Sequence, residues 1–264
     1  MSGDYHMHTE LCGHAEGEPQ AYVERAIDLG LTEIGFADHL PMFEHCTPGL
    51  TMVPEQLDGY VAFVRDLAQS YPEIRILLGV EADYMEGGEE RLAALLGQYD
   101  FDYVIGSVHF LSDGFGFDQP RLRAEFELRG VDIIYRENYR LVGQAAATGL
   151  FDVIGHLDLP KKFGHRPVDA EAIEACARDA LTAIAAAGTA IEINTAGLRR
   201  PVGEAYPTAA LLASAAALHI PLVFGSDAHR PEEVGADFDH ARELALAAGF
   251  TSTLRLSDRT QVGF

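Results

Sequence analysis

Nine side chains suited to gripping divalent cations recur through the chain at the ends of apolar runs. The first two are His6 and His8, inside Asp4-Tyr5-His6-Met7-His8-Thr9. Residues two apart on a β-strand leave the same face, so both imidazoles would point one way. Crowding two imidazoles together is costly unless something shares their lone pairs, and a divalent metal does so. Alone, such a pair reads equally as an ordinary surface His-x-His. Company decides the matter: Asp38-His39, Glu81-Ala82-Asp83, Ser107-Val108-His109, Gly155-His156-Leu157-Asp158, Glu192-Ile193-Asn194 and Ser226-Asp227-Ala228-His229 all close apolar runs. Of eleven histidines, six lie in these stretches, His6, His8, His39, His109, His156 and His229, and a seventh, His14, follows the first stretch in Cys12-Gly13-His14. With Glu81 and Asp227 they make nine candidate ligands. At about four ligands per zinc-like ion, that number supports two or three metals, a carboxylate bridging between them. Burying so many titratable groups together would be untenable unless cations balanced them.

The elements that must position these residues alternate regularly. Strand-like runs cover 4–8, 33–39, 75–84, 103–110, 151–159, 190–195 and 221–229, separated by helical patterns over 21–29, 54–69, 89–96, 133–147, 169–187 and 208–218. A last helix spans roughly 236–248, followed by a short apolar tail. Apolar strands spaced by amphipathic helices mean βα units and a parallel sheet. Seven units without a Gly-x-Gly-x-x-Gly turn favour a closed or nearly closed α/β barrel over an open nucleotide-binding sheet. In such barrels the site assembles at the C-terminal ends of the strands, where the polar residues fall. Residues 40–58 and 111–133 are long enough to cover it. Nothing marks a second domain, so 1–264 reads as one.

Lys and Arg number 19 against 41 Asp and Glu, a formal charge of −22. This excludes a general basic surface for a nucleic-acid polymer or an anionic membrane. It does not exclude an anionic substrate, because bound cations invert the local field. Cys12, Cys46 and Cys176 are scattered with no Cys-x-x-Cys, as in a reduced, cytoplasmic protein; no apolar run reaches membrane length and no leader pattern opens the chain. Oligomeric state is left open between a monomer and a small homo-oligomer.

The ordered set of these stretches, with Cys12-Gly13-His14-Ala15-Glu16-Gly17 after the first, resembles the polymerase-and-histidinol-phosphatase (PHP) superfamily of metal phosphoesterases, and most closely its histidinol-phosphatase branch. The likeness runs nearly the full chain. It implies a distorted, TIM-like (β/α)7 barrel and a site for three divalent ions, zinc, iron or manganese. One would take His6, His8, Glu81 and Asp227; the second would share Glu81 and add His109 and His156; the third would take His14, His39 and His229. Many relatives outside the branch carry Asp where His14 stands, so the third site here should be richer in nitrogen. Asp38 is either an acceptor orienting an imidazole or a strand-end cap. The implied reaction is hydrolysis of L-histidinol phosphate to L-histidinol and inorganic phosphate, a step in histidine biosynthesis, by a metal-activated hydroxide. Asp227 or His229 would pass a proton to the leaving oxygen.

Cations are scarce, so Lys161-Lys162 and Arg199-Arg200, each just past a strand end, are candidates for holding the phosphate; surface solvation is their plain alternative. Arg230 is a further one. Glu192, with Asp113 and Asp118 of the 111–133 connection, could meet a substrate amine or imidazole, and His45 and His165 could reach it. Three other readings stay open: a related phosphoesterase acting on a nucleotide or other small phosphomonoester, a metal-dependent amidohydrolase, and a metal-binding regulatory module without catalysis. The amidohydrolase would want a bridging Lys where Glu81 stands.

Overall fold

A computed structural model describes residues 3–42 and 49–264. Seven strands form one parallel sheet in sequence order: β1 (Gly3–Asp4), β2 (Glu33–His39), β3 (Arg75–Asp83), β4 (Tyr103–Ser107), β5 (Val153–Ile154), β6 (Ala190–Asn194) and β7 (Leu222–Gly225). The sheet curls until its ends meet. Tyr5 N–H donates to the Phe224 carbonyl at 3.1 Å and His8 N–H to that of Ala228 at 2.9 Å. β1 is shorter than expected, because past Asp4 the chain runs on extended between β2 and β7, tied by Met7 to Ala37 and Ala228.

The helices of the described residues are α1 (Pro19–Asp28), α2 (Leu57–Ser70), α3 (Glu89–Leu96), α4 (Glu125–Arg129), α5 (Val131–Ala147), α6 (Ala170–Ala187), α7 (Ala209–Ala217) and α8 (Phe238–Ala248), and all but α4 lie where apolar spacing put them. α6 shows the local logic. Alanine supplies propensity, the Asp169 carboxylate accepts from Ala172 N–H at 3.1 Å, and Gly188 stops the helix at φ +72°. α4 was not foreseen: five residues within a long connection give too short a pattern to read. The apolar tail was not foreseen as a hairpin either. β8 (Ser252–Arg255) and β9 (Thr260–Gly263) pair antiparallel, and Leu256 between them enters the barrel floor, its N–H 3.4 Å from the Tyr5 hydroxyl.

Two apolar layers result. The larger packs strands against helices; the smaller fills the barrel with Tyr5, Ala37, Leu77, Tyr103, Ile105, Val153, Ala190, Val223 and Leu256. Alternation then dictates what lies above that inner layer. Two or four residues past Ala37, Leu77, Ile105 and Ala190 come His39, Glu81, Ser107 and Glu192, on the same inward face at the C-terminal end, while Asp227 follows the end of β7 in a left-handed backbone conformation at φ +53°.

Tyr103 sets the width of the floor. Its hydroxyl donates to the Tyr5 carbonyl at 2.6 Å; a Cβ on Gly35 would come within 2.2 Å of that oxygen, and one on Gly79 within 2.2 Å of the ring carbon that bears it. Gly79→Ala is therefore expected to cost about 1–3 kcal/mol through overpacking, seen as a Tm several degrees lower. An unchanged Tm would show that the ring has room to move.

Candidate metal centre

The strand ends bring the nine sequence-predicted ligands together. The hub is Glu81, 1% exposed. One carboxylate oxygen lies 2.9 Å from His156 Nε2 and 3.7 Å from His109 Nε2, and accepts from the Ser107 hydroxyl at 2.5 Å. The other lies 2.8 Å from His39 Nδ1, 3.5 Å from His6 Nε2 and 3.7 Å from His8 Nε2. Asp227 stands opposite, one oxygen 3.4 Å from both His8 Nε2 and His229 Nδ1, the other accepting from Asn194 Nδ2 at 3.2 Å. The imidazoles crowd one another: His8 and His229 stack with centroids 4.3 Å apart, and His8 to His39 is 4.4 Å.

Four rings are turned so that one nitrogen faces the centre. His14 Nδ1 lies 3.1 Å from the Cys12 carbonyl and His229 Nδ1 3.0 Å from that of Asp227. A carbonyl only accepts, so each Nδ1 carries the proton and Nε2 keeps its lone pair. His109 Nδ1 meets Asp83 at 2.9 Å, and His6 Nδ1 meets Glu192 at 2.9 Å. Carboxylates behind histidines fix ring orientation and raise basicity in metal sites. Asp38, at the end of β2, is held by the start of the turn after His8 and approaches His8 without hydrogen-bonding to it. It accepts from Thr9, whose N–H is 3.2 Å away, and lies 3.6 Å from His8 Nδ1.

Does this donor set fit metal? His6 Nε2, both ring nitrogens of His8 and one oxygen of Glu81 are buried without a hydrogen-bond partner among the described residues. Unpartnered buried polar atoms are costly and call for an occupant. His14, His39 and His229 each offer a ligand atom, all within 4.8 Å of one another; so do His6, His8 and Glu81, and so do His6, His156 and Asp227. Mixed imidazole and carboxylate donors at such spacing suit zinc, iron or manganese.

The field agrees. Burial alone would raise the Glu81 and Asp227 carboxyls, but the surrounding imidazoles hold both well below the usual range, His39, His6 and His109 for the first and His6, His8 and His229 for the second. Burial, then the charges of His39 and His8, lower the His14 ring to about 4. Burial and the charge of His8 lower His229 too. Burial opposes protonation of His8 and His109 as well, yet Asp227 and Asp38 raise the first to about 9, and Asp83 and Glu81 raise the second to about 10. Anions that hold protons so firmly on imidazoles would hold divalent cations there instead.

Above the cluster opens a cavity of about 350 Å³, walled by residues that include Asp118, Lys162, Arg200 and Tyr206. The sequence-predicted cations divide. Lys162 and Arg200 line the cavity, Lys162 paired with Asp118 at 3.2 Å. Lys161 does not: it is 1% exposed, its ammonium donating to the Ala205 carbonyl at 2.7 Å and to Asp158 at 2.9 Å, so phosphate contact is corrected to a structural ion pair. Arg199 likewise turns inward, donating to the Ser226 carbonyl at 2.7 Å and lying 3.5 Å from Glu233. Glu233 in turn accepts from His229 N–H at 2.9 Å, so Arg199 braces the turn that carries His229.

Glu192 is corrected too. It is 1% exposed beneath His6, accepting from that ring, from His156 N–H at 2.8 Å and from Asn194 at 2.9 Å, and no substrate amine could reach it. Its space depends on Gly225, where a Cβ would come within 2.3 Å of the carboxylate. Asp113 pairs with Arg129, Arg230 with Glu16 at 3.2 Å, and His165 stacks on Phe126 at 4.3 Å, all outside the cavity wall. His45 and Cys46 lie outside the described residues. Tyr206, which no sequence pattern singles out, also lines the cavity. Cys12 and Cys176 are free thiols, and no described helix is long and apolar enough to cross a membrane.

Comparison with known proteins agrees with this architecture. A protein of Deinococcus radiodurans named "Probable histidinol-phosphatase" is 46% identical over 254 residues, 96% of each chain. The "Histidinol-phosphatase" of Bacillus subtilis is 30% identical over 258 residues, covering 89% of this chain and 96% of that one. The crystal structure of histidinol phosphate phosphatase from Lactococcus lactis, complexed with zinc, L-histidinol and phosphate, superposes with a TM-score of 0.81 at 24% identity, over 99% of this chain and 98% of that one. The family model of the PHP domain matches residues 4–196. The protein thus belongs to the PHP family, whose distorted (β/α)7 barrel it shares.

Proposed function

We propose that this protein is a histidinol-phosphatase, hydrolysing L-histidinol phosphate to L-histidinol and inorganic phosphate within histidine biosynthesis. One observation carries the reading: seven imidazoles, Glu81 and Asp227 converge with unpartnered donor atoms on the floor of a small cavity whose rim holds Lys162 and Arg200. The 46% identical relative, aligned along nearly its whole length, supports the substrate. The donor set divides among three divalent ions as the family pattern implies: His6, His8, Glu81 and Asp227; Glu81, His109 and His156; His14, His39 and His229. When bound, such ions lower the pKa of water and neutralise charge that builds on phosphoryl oxygens.

The protein's own groups supply the rest. Lys162 and Arg200 draw the phosphate to the rim, Arg200 offering the planar fork that suits it. Among the described residues Asp118 is the one acid of the wall that neither belongs to the nine ligands nor holds one of their rings, and beside Lys162 it is our candidate for meeting the substrate's ammonium or imidazole. Asp227 and His229 border the cavity and are the candidates for delivering a proton to the leaving oxygen. A cavity of about 350 Å³ suits a small monoester.

The deciding experiment is phosphate release by metal-loaded protein from L-histidinol phosphate beside a panel of nucleoside monophosphates and sugar phosphates. A preference of tenfold or less (about 1.4 kcal/mol) for the histidinol ester would favour the alternative, a small-phosphomonoester phosphatase of the same family. Arg200→Ala is expected to raise KM about ten- to a hundredfold, the worth of a charge-assisted contact, with metal content unchanged. A normal KM would remove Arg200 from the site.

A further inference from the structure

The cation-bearing rim and the metal-bearing turn meet at one half-buried guanidinium. Arg199 ends the 3-10 turn Thr195–Arg199 that follows β6, and Arg200, next in the chain, lines the cavity. The two side chains part there. Arg199 Nη2 donates to the Ser226 carbonyl at 2.7 Å, and its Nε lies 3.5 Å from one oxygen of Glu233. The other oxygen of Glu233 accepts from His229 N–H at 2.9 Å. Arg199 and Glu233 thus grip residues 226–229 at both ends. Arg199 Nη1 is buried without a partner among the described residues, so on that side the cation is cut off from water.

The gripped turn needs holding. Asp227 sits at φ +53°, in the left-handed region that residues with a Cβ seldom enter. Such a conformation persists where its surroundings over-determine it. Towards the first strand the ties are Ser226 N–H to Asp4 at 2.9 Å and the main-chain bonds of Ala228 to His6 and His8. Away from it, the Ser226 carbonyl and the His229 N–H are taken by Arg199 and Glu233. The Thr195–Arg199 turn has no slack of its own, since a Cβ on Gly197 would come within 2.0 Å of the Glu204 carbonyl. A guanidinium spanning two such turns fixes their separation, because its planar fork sets the direction of each contact.

We propose that Arg199 is a positioning residue. By gripping the Ser226–His229 turn together with Glu233, it sets Asp227 and His229 for a divalent cation and holds Arg200 at a fixed distance from them for the phosphate. The proposal rests on the metal-phosphatase reading, but the grip itself can be read without metal.

The test uses Arg199→Met, which keeps the stem and removes every donor, and Glu233→Gln, which keeps an acceptor for His229 N–H and removes the charge facing Arg199. In chelated protein, hydrogen exchange at the His229 amide of Arg199→Met should quicken about five- to tenfold, the worth of one hydrogen bond. Exchange in β4 and β6 should stay as in the parent. Affinity for zinc, read by competition with a chelating dye, should fall about ten- to a hundredfold, the range for groups that orient metal ligands. The rise in Tm on adding inorganic phosphate to the metal-loaded variant should shrink, although Arg200 is intact. Glu233→Gln should lose less, and the double variant no more than Arg199→Met, because both changes release the same grip. Unchanged exchange at His229, unchanged zinc affinity or an unchanged response to phosphate in Arg199→Met would each overturn the proposal. So would losses that add in the double variant, or exchange that quickens equally in β4 and β6, since either would make the effect one of general stability. If the parent takes up no zinc, the metal reading falls, while exchange at His229 still decides the grip.

Discussion

Glu81→Ala is expected to lower turnover by at least about a thousandfold. The carboxylate touches five imidazoles, those of His6, His8, His39, His109 and His156, so no other single side chain joins as much of the cluster. Its loss would strip two of the three proposed ions of their shared ligand. Charge neutralisation by such ions is worth several kcal/mol, and each 1.4 kcal/mol is about a tenfold change in rate. Elemental analysis of the purified variant should show metal content falling with activity. Glu81→Gln, which keeps shape and hydrogen-bonding capacity while removing the charge, guards against a mere folding failure. It should fold with a normal circular dichroism spectrum and be nearly as inactive. Near-normal turnover in either variant would refute the bridging role.

Exhaustive chelation is the second large effect. It should abolish turnover and lower Tm, and resupplied zinc, iron or manganese should restore both. Ions that bind the folded chain and not the unfolded one stabilise by mass action. The sign of the pH dependence follows from the rings. His14, lowered to about 4, is already neutral near pH 7 and accepts a cation without losing a proton. His8 and His109, raised to about 9 and about 10 by neighbouring carboxylates, must shed protons as cations arrive. Reloading in weak buffer at neutral pH should thus acidify the solution, and metal affinity should fall as pH falls. His14→Ala offers the graded contrast, costing chiefly the ion shared with His39 and His229 and leaving residual activity. Full turnover after chelation to less than about 0.1 ion per chain would end the metal-dependent reading.

Most of the site was legible because strand ends are where an apolar pattern breaks. A Glu at position 81, after the apolar Ile76, Leu77, Leu78 and Val80, has no reason to be there except chemistry, and the two-residue period then gives its direction. Direction was what failed elsewhere. Glu192 has the same pedigree as Glu81, yet it sits beneath His6 and serves the ring, because the register of β6 against β7 sets it below Asp227. Lys161 and Lys162 are adjacent and look equivalent in sequence; the short 3-10 turn of residues Leu159–Phe163 sends one into the protein and the other to the cavity.

The seam between the first and seventh strands has a consequence for how the protein is made. His6 and His8 emerge from the ribosome early, while Phe224, Asp227 and Ala228, which fasten and complete their surroundings, are translated some two hundred residues later. The floor closes later still, when Leu256 reaches Tyr5. Throughout synthesis the nascent first strand is left with an open edge and an incomplete set of metal-binding groups. Contacts so distant in sequence form slowly, and domains fold as units during translation. The complete set of nine donor groups therefore exists only once Asp227 and His229 have been made.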